Sequence, residues 1–268
     1  WRSRRFRGMI TARTRLAEAQ LALMLLTRLP AGVMSVAPPI GAATWAFPVV
    51  GGVVGALSAL VLLGALWAGL PVIMASGLAL ITSVMVTGGL HEDGLADCAD
   101  GFGGGRDRAR KLEIMRDSRI GSYGALALIL FLGLRWQGIA LVAAVPSQAV
   151  LALVLLGIAS RSGLACALWL MPAARADGMG KSAAETDFAR VLIAAGLGVL
   201  ALLIGFGWAG FSVFAAIATL QAGFGWSAMR QIGGKTSYVL GAMQQMGEVA
   251  GWLALTSLLQ SQGVSLPV

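Results

Sequence analysis

Residues 89–105 read GLHEDGLADCADGFGGG and begin in the last two residues of the apolar run PVIMASGLALITSVMVTGGL. One histidine and four carboxylates therefore fall within ten residues of the end of a hydrophobic segment. If the helix of that segment continues past Gly89, Asp93, Asp97 and Asp100 stand at i, i+4 and i+7, within roughly 60° of one another about the axis. They make one carboxylate face. Three like charges so close repel, so a cation must hold them. Oxygen ligands suit Mg2+ or Mn2+ rather than Zn2+, whose imidazole and thiolate partners are missing apart from His91. The plainer alternative is a solvated helix end whose acids pair with the arginines that follow.

Those arginines lie in GFGGGRDRARKLEIMRDSRIGSYG. Arg106, Arg108, Arg110 and Lys111 flank an apolar stripe and suit an interfacial helix against anionic lipid as well as they suit a ligand. Arg116, Asp117, Ser118 and Arg119, with Ser122 and Tyr123, instead crowd the mouth of the next apolar segment. Arg119 there could fork a phosphate bidentately. Carboxylates for a divalent cation facing arginines for phosphate oxygens are the parts of a phosphoryl-type transfer site. GMGKS and GGKTS both end like a Walker A loop, but the glycine required five residues earlier is Arg175 in one and Met229 in the other. Lys181 and Lys235 stay as phosphate contacts or as charges that set topology.

Such a site must be positioned by helices in a membrane. Hydrophobic residues make up 57% of the 268 and charged residues 12%, against roughly 25% charged in an ordinary soluble domain. Apolar stretches of about 20 residues place spans near 43–68, 71–90, 121–144, 147–170, 190–207, 209–228 and 238–260, seven in all. The expected architecture is an all-α polytopic bundle, one catalytic domain over 1–268. Its residues 1–30 form a basic arm and an interfacial amphipathic helix at Ala17 to Leu29. The first fifteen residues carry six arginines and no acid, without the apolar core or cleavage site of a signal peptide. Of the 20 basic residues, 18 fall before the first span or in alternate connections, and only Arg135 and Arg161 lie within spans. The opposite connections, around Gly69-Leu-Pro71, Ala144-Val-Pro-Ser147 and Gly207-Trp-Ala-Gly210, carry no charge. The positive-inside rule then puts the N-terminus and all the chemistry on the cytoplasmic side. Glu248 lies inside the last span and has Arg161 or Arg135 as a partner across the bundle. Gly51 and Gly55 make a small-xxx-small pair for close helix approach. Cys98 and Cys166 have no metal-site spacing and are expected to pack.

The long motif TGGLHEDGLADCADGFGGG, followed by RKLEIMRDSRIGSYGALAL, closely resembles the cobalamin synthase family, adenosylcobinamide-GDP ribazoletransferase. The resemblance continues through LLTRLP, FPVVGGVVGAL, Arg161, GMGKS and GGKTSYVLGAMQQMGEV. It implies a multi-pass enzyme of the bacterial cytoplasmic (inner) membrane that joins adenosylcobinamide-GDP to α-ribazole or its 5′-phosphate. GMP is released and Mg2+ is required. By motif, Asp93, Asp97 and Asp100 are the expected metal ligands. His91 either orients or deprotonates the attacking hydroxyl or is a hydrogen-bonded structural residue. Arg116, Asp117, Ser118, Arg119, Arg161, Lys181 and Lys235 are the expected phosphate and substrate contacts. Two positions depart from the pattern: Glu92, where the family is commonly apolar, and Ser237-Tyr238, where it usually has Gly-Asp.

The expected partners are the two substrates and the lipid bilayer, not nucleic acid; a homo-oligomer and association with other vitamin B12 enzymes stay open. Three other readings compete. A CDP-alcohol phosphotransferase needs D-G-x-x-A-R, and Leu95-Ala96-Asp97 follows Asp93-Gly94 here. A cation transporter needs polar groups reaching both faces, and the external halves of nearly all spans are bare. The third is a non-catalytic corrinoid-binding subunit.

Overall fold

The computed structural model describes residues 2–175 and 186–261, with side chains from residue 13 onward. The chain is helical: α1 (Arg2–Leu26), α2 (Ile40–Ala43), which leads through the 3-10 turn Thr44–Ala46 into α3 (Phe47–Trp67), α4 (Val72–Thr87), α5 (Leu90–Gly104), α6 (Arg108–Ile114), α7 (Ser122–Val142), α8 (Pro146–Leu170), α9 (Phe188–Phe206), α10 (Ala209–Ile232) and α11 (Ser237–Ser261). Among the described residues the β-structure is one isolated bridge, Ala173 with Lys235.

Among the described residues five stretches are long and apolar enough to cross a membrane: Ile40–Trp67, Ser122–Val142, Pro146–Leu170, Phe188–Phe206 and Ala209–Ile232. Each matches an expected span to within a few residues. Two of the seven expected spans are different in kind. The second ends at Gly88 and Gly89, whose φ of +67° and +71° are left-handed and open to glycine at little cost. Beyond them α5 leaves the α4 axis at 86°. The 16 residues of α4 reach only about 24 Å at 1.5 Å per residue, short of a hydrocarbon core of roughly 30 Å. The last, α11, has 25 residues but carries Gln244, Gln245 and Glu248, all buried, and falls short of the apolarity of a lipid-facing span. Among the described residues the bundle thus has five helices long and apolar enough to span by length and composition, or six if the bent pair counts as one.

Packing follows from small residues. A Cβ at Gly51 would sit 2.0 Å from the Gly157 carbonyl oxygen, and one at Gly55 would sit 2.2 Å from that of Leu153, so α3 and α8 touch backbone to backbone. Trp252, Leu156, Ile217 and Leu255 fill the centre of the bundle. Leu60, Ile129, Ile204 and Phe211 stay exposed on its outside, as lipid-facing side chains do. At the site end, α1 begins well before the expected Ala17, and its last turns bury Leu21, Ala22 and Leu26. The buried Glu18 there accepts hydrogen bonds from Arg15 and Trp45 Nε1, each at 2.7 Å. Cys98 is buried and Cys166 half-buried, both free.

The close approach can be tested directly. Gly55→Val is expected to lower bundle stability by about 1–3 kcal/mol or more through overpacking, read as thermal unfolding in detergent. Gly64→Ala, with no atom within 4 Å of the added carbon, is expected to leave it unchanged or slightly higher.

Candidate active site

The break at Gly88 and Gly89 lays α5 across the end of the bundle, and three contacts fix it there. On one side, a Cβ at Gly94 would be 2.7 Å from the Tyr238 carbonyl oxygen and 3.1 Å from Gly241 Cα, so α5 presses on α11. Toward the core, Glu92 accepts hydrogen bonds from Arg135 at 2.8 Å and from Gln245 at 3.0 Å. At the far end, Asp100 accepts the backbone N–H groups of Gly121 at 2.7 Å and Gly124 at 2.8 Å. The carboxylate thereby meets two of the unpaired donors at the start of α7. A Cβ at either glycine would collide with that carboxylate, at 2.4 and 2.3 Å. The glycines of RIGSYG are therefore explained by a side chain more than twenty positions earlier.

The outward face of α5 opens on a cleft of about 680 Å3 lined by Asp93, Asp97, Asp100, Ser118, Arg119 and Arg28, with Met24, Leu25 and Leu90 among its apolar neighbours. Asp93 and Asp97 have no hydrogen-bond or ion-pair partner among the described residues. Arg119 is exposed and forks Asp117, with Nε and Nη2 donating to the two carboxylate oxygens at 3.0 and 2.6 Å. These hydrogen bonds hold the Asp117 carboxyl down at about 2, so the pair persists across physiological pH.

Arg28 is a residue the sequence reading missed. Its N–H donates to the Val86 carbonyl at 2.8 Å, and its side chain lies where a Gly88 Cβ would be, 2.5 Å from Nε. The signal available was its place in LLTRLP, a run noted only for its resemblance.

Other expected site residues lie elsewhere. His91 is two residues from Asp93, about 200° round the helix, and points to the opposite side of α5, 2% exposed. Arg161 is equally buried and pairs with Glu248 at 3.4 Å in the middle of the bundle. Arg135 takes Glu92 instead, so each buried arginine has its own acid. Lys235 is buried and donates through Nζ to the carbonyl of Leu168 and, at 2.6 Å, to that of Met171. It satisfies carbonyls at the end of α8 and cannot also meet a phosphate in the cleft. Arg116 and Asp117 border the cleft without lining it. Lys181 lies outside the described residues. Ser237 and Tyr238 open α11 on the far side of α5 from the carboxylates.

Among the described residues no three His, Cys, Asp or Glu side chains converge as a metal-binding group. That fits Mg2+, which takes one or two protein carboxylates and completes its octahedron with water and substrate phosphates. Asp93 and Asp97, uncompensated and one helical turn apart, are such a pair. Each Asp100 oxygen keeps a second lone pair but already serves α7.

A helical membrane bundle with an acid- and arginine-lined cleft at one end is the framework of an integral-membrane enzyme acting on a phosphorylated substrate. The family model described as cobalamin-5-phosphate synthase matches residues 18–256. The chain belongs to that family. It is 45% identical over 246 residues to an adenosylcobinamide-GDP ribazoletransferase of Bradyrhizobium diazoefficiens, covering 90% of this chain and 94% of the relative. It is 41% identical over 253 residues to one of Mesorhizobium japonicum, covering 94% and 97%. No solved structure matches.

The two roles of the carboxylates separate by experiment. Asp100→Ala should cost about 0.5–2 kcal/mol of stability, the scale of a lost helix cap, whereas Asp97→Ala, which loses no hydrogen bond, should unfold at the wild-type temperature or above it.

Proposed function

We propose that this chain is the membrane transferase that joins adenosylcobinamide-GDP to α-ribazole or its 5′-phosphate in cobalamin synthesis, working at the cytoplasmic face of a bacterial inner membrane. The observation that carries this reading is the cleft. Two unpartnered carboxylates, Asp93 and Asp97, face Arg28, Ser118 and Arg119 across a space large enough for a pyrophosphate. The names of the relatives supply the substrates, and the one-sided distribution of lysine and arginine supports the orientation.

In the reaction, the ribose hydroxyl of the ribazole attacks the phosphorus on the corrinoid side of the pyrophosphate. The bond from that phosphorus to the bridging oxygen breaks, GMP leaves with the oxygen, and the proton of the attacking hydroxyl passes to the phosphate of the leaving GMP or to water. Asp93 and Asp97 would hold a divalent cation, which would supply charge neutralisation to the phosphate oxygens. Arg119 exchanges its fork on Asp117 for one on phosphate, an even trade in geometry that keeps the guanidinium oriented before substrate arrives. Arg28 presents a second cation to the same cleft, and the Ser118 hydroxyl lines it as a neutral donor. The fixed α5 keeps the carboxylates in place while the α6–α7 loop, carrying Arg119, adapts.

Asp97→Asn should insert and fold normally yet lose most turnover of adenosylcobinamide-GDP with α-ribazole, with partial recovery at raised Mg2+. Binding of Mn2+ to the substrate-free protein, followed by paramagnetic resonance, should weaken in parallel. Asp107→Asn keeps its helix cap on the Arg110 N–H and should match wild type in both; near-normal activity of Asp97→Asn with unchanged metal dependence would remove the cation from this helix.

Arg119→Lys keeps the charge and loses the fork, so binding of the GDP substrate should weaken by about 1–3 kcal/mol. The exposed Arg110, paired with Glu113 on its own helix, should tolerate the same change. Equal effects of the two substitutions on substrate affinity would make Arg119 a general surface charge.

A further inference from the structure

Behind α5, on the face away from the carboxylates, lies a second cavity of about 80 Å3. His91 and Ser237 line it, together with apolar side chains that include Phe47, Leu164 and Leu168. His91 is 2% exposed, and its Nε2 has no hydrogen-bond partner. A ring nitrogen left so in an apolar setting carries a desolvation penalty that a bound polar group would relieve. No arginine or lysine among the described residues lines the cavity, which is therefore better suited to an uncharged ring than to phosphate. Its size admits one edge of a planar fused ring and excludes a corrin.

The cavity is also next to the cleft. Leu25 and Leu90 line both, and Leu90 begins α5, so a ligand could pass round the start of that helix from one space to the other. We propose that this cavity receives the base of the ribazole substrate, edge first, with the His91 imidazole turned to present a ring nitrogen to the cavity and hydrogen-bonded to the base. The ribose then lies over Leu25 and Leu90, and its hydroxyl is directed toward Asp93 and Asp97. This rests on the transferase reading above, and it assigns His91 to holding the attacking substrate rather than to proton transfer.

The test uses the full chain in lipid nanodiscs. Equilibrium binding of α-ribazole and of ribose 5-phosphate is measured without the GDP substrate, followed by KM for each substrate during turnover. His91→Leu should weaken α-ribazole binding and raise its KM roughly tenfold, the loss of one buried hydrogen bond. KM for adenosylcobinamide-GDP should stay within about twofold, and the weak binding of ribose 5-phosphate should not change. Leu164→Phe, which narrows the cavity and leaves His91 intact, should act in the same direction, and it carries the test alone if the histidine variant does not fold. Wild-type affinity for α-ribazole in a folded variant would overturn the proposal and leave water as the partner of Nε2. An equal loss for ribose 5-phosphate would move the base out of the cavity and overturn it too. A wild-type protein that neither binds α-ribazole nor turns over would instead bring down the transferase reading.

Discussion

Two arginines and two glutamates are buried in the bundle, and the arrangement of the helices depends on their finding one another. An isolated charge in so apolar an interior is prohibitive, whereas a paired and hydrogen-bonded one is tolerable. Arg135 meets Glu92, Arg161 meets Glu248, and Gln244 and Gln245 join the pairs. Gln245 donates to Glu92 and to Gln244, and Gln244 donates to Glu248. One polar chain thus runs from α5 through α11 to α8. Sliding or rotating α11 would leave charges stranded on both sides. Removing either arginine alone leaves a buried carboxylate without its counter-ion, the costly case.

This network explains how a helix can carry so many acids. Glu92 points inward and is neutralised by protein, while its neighbour Asp93 points outward and is not. Asp100, also on the outer side, is turned to a structural task at the start of α7. The same fifteen residues therefore contain a brace, a cap and two unpartnered carboxylates, and glycines let the neighbours come close enough for each. The free pair gains from this rigidity, because side chains on a braced element keep one geometry.

The sequence makes the membrane, the helices and the acidic face plain because each rests on local periodicity or composition. Apolar runs mark the spans, and the spacing of Asp93, Asp97 and Asp100 marks one face of a helix. The opposite position of His91 was equally present in that spacing. What sequence conceals is choice among partners. Arg161, Lys181, Lys235 and Arg119 are alike as basic residues, and only folding reveals that Arg161 answers Glu248, that Lys235 closes the end of α8, and that Arg119 faces the cleft. The break at Gly88 and Gly89 was hidden because an apolar run followed by an amphipathic one reads as a single helix until left-handed glycines turn it. The polarity of α11 was visible in Gln244, Gln245 and Glu248, but its meaning, a strut enclosed by other helices, required the neighbours.

The shortness of α4 reaches beyond the protein. A helix of about 24 Å cannot cover hydrocarbon roughly 30 Å deep, and at its end the chain turns sideways into a segment too polar for acyl chains. A bilayer that thinned to meet α4 would draw headgroups and water inward along that flank. It would carry a shallow dimple whose floor is the outer face of α5. A phosphorylated substrate entering the cleft would then lie below the mean level of the membrane surface, and the thickness of the surrounding lipid would become a parameter of the protein.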